Sequence, residues 1–426
     1  MRILWITNQP TPQVAEHLDL KVGNGGGWMT EMSKQVSQDN ILGMVFPIEN
    51  EKKLQMGCAD NIMYYAIPMK KNAETVNENV AKSIENAIKK FQPDIVHIWG
   101  TEYAHSLMTI IACKKLGIID QTVVSIQGMV SVYARHFWGN INSLSIKIPT
   151  LIDIVYHCGL YRQYRNFVKR GNLERRALIE AKHVIGRTDW DYICTKIINE
   201  NIKYHLCNES LRKAFYSFEW DIKKCERHSI FASQSTYPIK GTHTLIEALS
   251  IVKKFYPDVH LYITGRNRLK KGVKERLKDS GYDKYLRELI YKYGLENSIT
   301  FLGNLNENEM CERYLKTNVY VLPSYIENSP NSLGEAMLLG VPVVTSDVGG
   351  VKELIQHDKE GYIYQSDAPY MLAGNIIKYF QDDVLATCMG KRARERALKN
   401  HDRKKNYEKL MCIYKEIADI DEQERI

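Results

Sequence analysis

The stretch Glu327-Asn-Ser-Pro-Asn-Ser-Leu-Gly-Glu335, continued by Ala336-Met-Leu-Leu-Gly340-Val-Pro-Val-Val344, decides how this chain is read. Two carboxylates stand eight positions apart, on either side of a turn that reads as a helix start. The helix is short, because Gly340 and Pro342 end it, and Val341, Val343 and Val344 then read as a buried strand. A helix N-terminus offers unpaired N–H groups and the positive end of its dipole, which suits a phosphate. Carboxylates beside it accept hydrogen bonds from sugar hydroxyls. Phosphate and sugar hydroxyls together describe a nucleotide sugar. A structural reading stands beside this one: Ser332-x-x-Glu335 has the spacing of a capping box, and Ser329-Pro330 is an ordinary helix start.

Outward from this stretch, apolar runs alternate with helix-length polar segments. The runs are Ile3–Thr7, Leu42–Phe46, Ile62–Ile67, Ile95–Trp99, Thr122–Ile126 and His183–Gly186 in the first half. In the second half they are Ile230–Ala232, Val259–Thr264, Ile299–Leu302, Val319–Leu322, Val341–Thr345 and Tyr362–Tyr364. Helical spacing separates them, clearest at Val80–Phe91 and Thr244–Phe255. Such alternation predicts an α/β protein with parallel sheets and crossover helices. It breaks at 131–178, which is basic and aromatic, and at 206–227, which reads as a connection between two domains. The expected division is 1–205, a connection 206–227, a second domain 228–405 and a C-terminal helix 406–426. That helix is marked by Tyr407, Leu410, Met411, Tyr414 and Ile417.

A length of 426 residues suits two domains, each with a sizeable core. The 44% hydrophobic and 25% charged fractions exclude a disordered or fibrous chain. No run is long and apolar enough for a transmembrane helix, and Met1–Asn8 reads as a first strand rather than a signal peptide. Nine scattered cysteines with no Cys-x-x-Cys favour reduced thiols over disulfides or a zinc site. The expected location is therefore cytoplasmic, with the inner face of the cell membrane as a peripheral site. A net charge of +8 suggests an anionic partner. A dinucleotide fold would need Gly-x-Gly-x-x-Gly directly after a strand. Here Gly23, Gly25, Gly26 and Gly27 come some fifteen residues past the first strand, and Trp28 takes the last required position.

At this point the chain resembles the retaining glycosyltransferases of family 4. The resemblance rests on Glu327–Glu335 with Gly340-Val-Pro-Val-Val, then Gly349-Gly350-Val-Lys-Glu353-Leu-Ile, and on Tyr237-Pro-Ile-Lys240-Gly241 before a helix. It implies a GT-B fold of two Rossmann-like parallel-sheet domains facing across a cleft, with the C-terminal helix returning to the first. It also implies roles. Glu335 binds the donor ribose, and Glu327 sits by the transferred sugar and its phosphate. Backbone N–H groups of Asn331, Ser332 and Leu333 meet the diphosphate. Lys240 holds the same diphosphate as a mobile point charge. The family arginine five positions earlier is replaced by Ser235, and a hydroxyl is no substitute for a guanidinium. Either Lys240 suffices or a nearby arginine compensates, with Arg266 as the candidate. Gly25-Gly26-Gly27 resembles the glycine loop near the donor phosphate, with Gly26 and Gly27 as donor contacts. Gln127 stands where many members have a histidine near the donor sugar. An amide there still bonds a hydroxyl but takes no proton. His136 is the alternative, on the acceptor side with Arg187, and His97, inside an apolar run, reads as a core histidine.

The implied reaction moves a sugar from a nucleoside diphosphate sugar to a hydroxyl of a glycan or lipid-linked acceptor, in surface polysaccharide synthesis. Retention would have the leaving phosphate receive the acceptor proton, with Glu327 as a clamp rather than a nucleophile. No divalent metal and no cofactor are expected. The basic stretch Tyr161–Arg176 fits single-stranded nucleic acid, an anionic membrane surface or a solvated helix face. No nucleic-acid module accompanies it, so a nucleic-acid partner is not expected. Two other classes share the sequence features: an epimerase acting on the donor alone, and a non-catalytic nucleotide-sugar or membrane-binding protein.

Overall fold

Runs that are buried on both faces become central parallel strands, because helices must cover each side of the sheet. The computed structural model describes residues 1–20, 27–49, 51, 53–70, 73–141, 146, 149–155, 159–270, 272 and 279–424, with the backbone alone at 27–28, 151–152 and 419–424. The chain divides into two units. The first comprises Met1–Val132, Phe167–Leu211 and His401–Ile426; the second comprises Tyr133–Asn166 and Arg212–Asn400.

The first unit holds an eight-stranded sheet. Its strands are β1 (Arg2–Ile6), β2 (Ile41–Ile48), β3 (Gln55–Ala59), β4 (Ile62–Pro68), β5 (Ile95–Trp99), β6 (Thr122–Ser125), β7 (His183–Gly186) and β8 (Lys203–Leu206). Their order is β3-β4-β2-β1-β5-β6-β7-β8. Strand β1 pairs in parallel with β2 and with β5, Leu4 lying opposite Gly43 and Val96. Among the described strands only β3 runs antiparallel, against β4. The sequence pattern did not reveal β3 or β8. Both are edge strands, one face of which is wet (Met56 is 46% and Leu206 56% exposed), so neither carries an unbroken apolar run. The proposed connection from 206 therefore begins on the last residue of β8.

Helix Glu78–Phe91 starts at Asn77, whose side chain accepts from the N–H groups of Asn79 and Val80, and it buries Val80, Ile84, Ile88 and Phe91 against the sheet. The final helix, Arg403–Glu424, returns to this unit. Its Leu410, Ile413, Tyr414 and Ile417 join Trp5, Met32, Met44 and Trp99 in one core cluster. Tyr414 anchors it. Its hydroxyl accepts from Trp5 Nε1 at 3.1 Å and lies 2.5 Å from His97 Nδ1. With Tyr414 donating, His97 Nδ1 is an acceptor and Nε2–H donates to Ser125 Oγ at 2.6 Å. Burial holds this ring well below the usual histidine range, so His97 is the neutral core histidine its apolar run predicts.

The second unit holds a six-stranded parallel sheet. Its strands are β9 (Ser229–Ala232), β10 (His260–Ile263), β11 (Ile299–Phe301), β12 (Val319–Leu322), β13 (Val343–Ser346) and β14 (Tyr362–Tyr364), in the order β11-β10-β9-β12-β13-β14. Every residue of β9, β12 and β13 is buried. Both units are thus Rossmann-like α/β layers, the architecture expected from the alternating pattern. Among the described residues no helix is long and apolar enough to cross a membrane.

Candidate functional site

In the second unit, the chain leaves β9 and β12 side by side and forms two interlocked loops. After β9, a single 3-10 turn at Pro238–Lys240 ends on Gly241, whose φ is +65°. A Cβ on Gly241 would lie 1.8 Å from the carbonyl oxygen of Pro323, so only glycine lets the two loops touch. The Tyr325 N–H donates to the Ile239 carbonyl at 2.7 Å and closes the joint. His243 secures the other side, 2.8 Å from the Gly139 carbonyl through Nε2.

This scaffold delivers Lys240 to Glu327. The Lys240 ammonium donates to Glu327 Oε1 at 2.7 Å, and Ser324 Oγ donates to the same oxygen at 2.7 Å. The pair is buried, with side chains 14% and 9% exposed. Burial pulls the Lys240 ammonium down, but Glu327, with Tyr237 and Tyr320 nearby, outweighs it and holds the group above the usual lysine value. Glu327 is itself gripped from behind. Gly349, at φ +51°, presses against the Glu327 carbonyl, and the Gly350 N–H donates to that carbonyl at 3.2 Å. The Asn328 N–H donates to Tyr133 Oη at 2.9 Å.

Helix Asn331–Leu339 follows, and Gly340 ends it at φ +78°. Pro330 occupies the N-cap and its side chain makes no capping hydrogen bond. The capping-box alternative for Ser332 and Glu335 is therefore not realised. Ser332 lies inside the first turn, and its carbonyl accepts from Tyr314 Oη at 3.0 Å. Leu333 N–H is turned back to the Pro330 carbonyl at 3.0 Å. Glu335 points elsewhere. Both its oxygens accept from Arg212, at 2.7 Å from Nε and 2.8 Å from Nη2, in a bidentate pair. Burial raises the Glu335 carboxyl, with Arg212 opposing it.

Ser235 is 2% exposed, and a guanidinium does reach it. That guanidinium belongs to Arg268. Its Nη1 donates to Ser235 Oγ at 2.9 Å and its Nη2 to the Ser235 carbonyl at 2.8 Å, while Nε donates to Asp283 at 2.6 Å. Arg266, the residue sequence reasoning singled out, is more exposed and lies 3.3 Å from Asp279 and 3.7 Å from Asp283. His136 is an exposed residue of the second unit, its imidazole lowered by burial and then by Arg135.

The first unit gathers Gln127 and Arg187 at the carboxyl ends of β6 and β7. A third residue, Glu209, joins them. Arg187 Nη1 donates to Glu209 Oε2 at 2.9 Å, Gln127 Nε2 donates to Oε1 at 2.5 Å, and Arg187 Nη2 donates to the Gln127 carbonyl at 3.1 Å. His401 Nδ1 lies 2.8 Å from the Glu209 carbonyl. Gly25 and Gly26 lie outside the described residues, and Gly27 opens helix Gly27–Asp39. Glu209, Arg212, Arg268 and Tyr133 were not singled out from the sequence. Glu209 and Arg212 follow β8, whose edge character hid it. Among the described residues, no group of three or more His, Cys, Asp or Glu side chains is placed to hold a metal ion.

Residues 213–396 match the family described as glycosyl transferases group 1. This segment is thus similar to the group 1 glycosyl transferases. It contains the Lys240–Glu327 pair, the helix start at Asn331 and the glycine grip on Glu327. The chain is 30% identical over 199 residues to the putative colanic acid biosynthesis glycosyltransferase WcaL of Escherichia coli, across 42% of this chain and 48% of that protein. It is 25% identical over 177 residues to a GDP-mannose-dependent alpha-(1-6)-phosphatidylinositol monomannoside mannosyltransferase of Mycobacterium tuberculosis, across 40% and 43%. The chain thus spans less than half the length of these two relatives. Among solved structures, sucrose-phosphate synthase from Thermosynechococcus elongatus superposes with a TM-score of 0.70 at 16% identity, covering 97% of this chain and 98% of that one. Anabaena Alr3699/HepE in complex with UDP and glucose gives 0.66 at 16%, covering 96% and 98%. These likenesses show a GT-B fold.

Proposed function

We propose that the chain transfers a sugar from a nucleoside diphosphate sugar to a hydroxyl of a glycan or lipid-linked acceptor, with retention at the anomeric carbon, in surface polysaccharide synthesis. The observation that carries this is the Lys240–Glu327 pair set beside a helix terminus whose N-cap proline makes no capping hydrogen bond. Lys240 uses one N–H on Glu327, and its other donors and the helix start would take the diphosphate. Charge growing on the leaving phosphate would be met by a cation already in place, which needs no reorganisation. Glu327 Oε1 accepts two bonds, and Oε2 is available to a hydroxyl of the transferred sugar. The Arg212–Glu335 pair would present a rigid carboxylate to the ribose. The leaving phosphate would take the acceptor proton, with no carboxylate nucleophile and no metal step. The group 1 match and the names of the relatives support this reading.

Two measurements test it. A panel of nucleotide sugars in thermal-shift assays should raise the melting temperature for one donor, since a ligand bound to the folded state stabilises it. Lys240→Met should then abolish transfer while the protein still folds. Conversion of the donor without any acceptor would favour an epimerase instead, and loss of transfer in EDTA would refute the metal-free step.

A membrane partner, and with it a peripheral location, is part of this proposal. Helix Leu160–Glu180 leaves Arg162, Arg165, Lys169, Arg175 and Arg176 exposed, together with Tyr161, Val168 and Ile179. A cationic face with apolar side chains interspersed suits an anionic lipid surface. Sedimentation with phosphatidylglycerol vesicles but not with phosphatidylcholine vesicles is the expected result.

A further inference from the structure

The interruption of the strand pattern at 131–178 supplies more than an exposed cationic face. Its part Tyr133–Asn166 belongs to the second unit, although Phe167–Leu211 separates it in sequence from the rest of that unit. Residues 133–139 lie against both loops that carry the Lys240–Glu327 pair. Gly139, at φ +51°, meets the Lys240 turn: a Cβ there would stand 2.6 Å from the Pro238 carbonyl oxygen and 3.1 Å from Tyr325 Cδ2. Its own carbonyl lies 2.8 Å from His243 Nε2. Phe137 is fully buried, its ring 5.8 Å from that of Tyr164. Tyr133 meets the Glu327 loop, where its hydroxyl accepts the Asn328 N–H at 2.9 Å across 195 positions of sequence.

That last bond completes a hold on one peptide plane. The Glu327 carbonyl and the Asn328 N–H are the two polar ends of the same rigid amide. Its oxygen accepts from the Gly350 N–H at 3.2 Å, and its N–H donates to Tyr133 at 2.9 Å. A plane bonded at both ends cannot turn about its flanking Cα atoms without giving up a bond, and a buried amide left without a partner is costly. Asn328 is 1% exposed, so water does not readily replace the tyrosine hydroxyl. The setting of this plane fixes ψ of Glu327 and hence the direction in which its side chain leaves the loop. Oε1 is committed to Lys240 and Ser324 at 2.7 Å each, so a turn of the plane strains that pair or swings Oε2.

We propose that Tyr133 is a positioning residue for Glu327: its hydroxyl locks the peptide plane behind this carboxylate and so aims Oε2 at the transferred sugar. The part played by the sugar rests on the transfer reading above; the hold on the loop does not. The assignment is selective. Lys240 and the helix start serve the diphosphate and Glu335 the ribose in that reading, so Tyr133 acts on the sugar end of the donor and leaves the nucleotide end alone. A carboxylate is worth most to a sugar hydroxyl when it is already in place, because nothing then has to be ordered on binding.

The test separates the sugar from the nucleotide. Calorimetry on the full chain compares UDP with UDP-glucose and UDP-N-acetylglucosamine, and GDP with GDP-mannose, for wild type, Tyr133→Phe, Glu327→Gln and the double variant. Gly294→Ala, in an open turn of the second unit with nothing within 4 Å of its would-be Cβ, controls for lost stability. Tyr133→Phe keeps the ring and removes one oxygen. It should bind the nucleotide sugar about tenfold more weakly, the effect of a misaimed charged hydrogen-bond partner, and the nucleoside diphosphate as wild type does. The double variant should lose no more than Glu327→Gln alone. Hydrogen exchange of the ligand-free protein at residues 326–329 should be about tenfold faster in Tyr133→Phe and unchanged in Gly294→Ala. Wild-type affinity for the nucleotide sugar in Tyr133→Phe overturns the proposal, as does an equal loss for the nucleoside diphosphate, additive losses in the double variant or unchanged exchange. Faster exchange in Tyr133→Phe, in a protein that takes no nucleotide sugar, keeps the hold on the loop and overturns the transfer reading.

Discussion

Replacing Gly349 by alanine should strike the candidate donor site through its backbone. A Cβ at this position would stand 1.8 Å from the Glu327 carbonyl oxygen and 3.0 Å from its carbon. Ordinary contacts of this kind lie beyond 3.4 Å, so the Glu327 backbone must retreat by more than about 1 Å or Gly349 must turn. Two costs add. Holding alanine at φ +51° costs about 1–2 kcal/mol. Relieving the clash in a closely packed loop costs about 1–3 kcal/mol more. Gly294 isolates the first cost, because it has φ +62° and nothing within 4 Å of its would-be Cβ. For a unit of this size 1 kcal/mol shifts the melting temperature by roughly 2–4 °C. Gly294→Ala should therefore lower it by roughly 2–8 °C, and Gly349→Ala by roughly 4–20 °C. The functional effect is sharper. A displacement of about 1 Å in a positioning group costs about a hundredfold in rate, so Gly349→Ala should lose transfer at temperatures where it is still folded, and Gly294→Ala should not. Scanning fluorimetry and initial transfer rates measure both. Equal melting losses in the two variants, with wild-type turnover in Gly349→Ala, would refute the grip on Glu327.

Further outcomes follow from the same geometry. In a double-mutant cycle on Lys240→Met and Glu327→Gln, each single change should cost about 3–5 kcal/mol in denaturant unfolding and the double change much less than their sum; additive costs would show that the pair is not formed. Tyr414→Phe leaves Trp5 Nε1 and His97 Nδ1 without their buried partner and should destabilise by about 1–3 kcal/mol for each, seen in urea unfolding of the full chain. Acid should weaken the first unit before the second. Burial holds His105, His183 and His401 of the first unit at about 4, with His97 and His205 also lowered, against His243 at about 4 in the second unit, with His136 and His260 also lowered. A depressed histidine disfavours the proton in the folded state, so the stability it lends is complete above the unfolded value near 6.5 and is lost as pH falls towards 4. Each such group at about 4 removes about 2 kcal/mol between pH 8 and pH 5. Hydrogen exchange at pH 5 should open β5 and β7 before β9 and β12, and the reverse order would contradict the assignment.

The central strands were legible because their neighbours on both faces are helices. Val319–Leu322 and Ile95–Trp99 read as strands at the bounds the structure gives them. The edge strands were not, since Lys203-Tyr-His-Leu206 needs only one dry face. The spacing of Glu327 and Glu335 singled out these two residues but not their partners. Lys240 and Glu327 are 87 positions apart, and Arg212 and Glu335 are 123 apart, so each ion pair exists only through the sheet order. Ser235 showed that a cation was missing from its own segment. That Arg268 would fill the space, and Arg266 would turn to Asp279, depends on which side of one turn each side chain leaves.

The return of the last helix to the first unit has a consequence for the order of events on the ribosome. Strand β1 is made first, yet the residue that hydrogen-bonds Trp5 lies 409 positions later. Between them comes Arg212–Asn400, which belongs to the second unit. At about 5–20 residues per second this insert takes roughly 10–40 s to make. During that interval the face of the first sheet that receives Leu410, Tyr414 and Ile417 is uncovered, and the nitrogens of Trp5 and His97 await Tyr414. The second unit has every segment it needs as soon as Asn400 emerges. The chain therefore finishes first the unit it begins second, and its earliest strand is the last to gain its full cover.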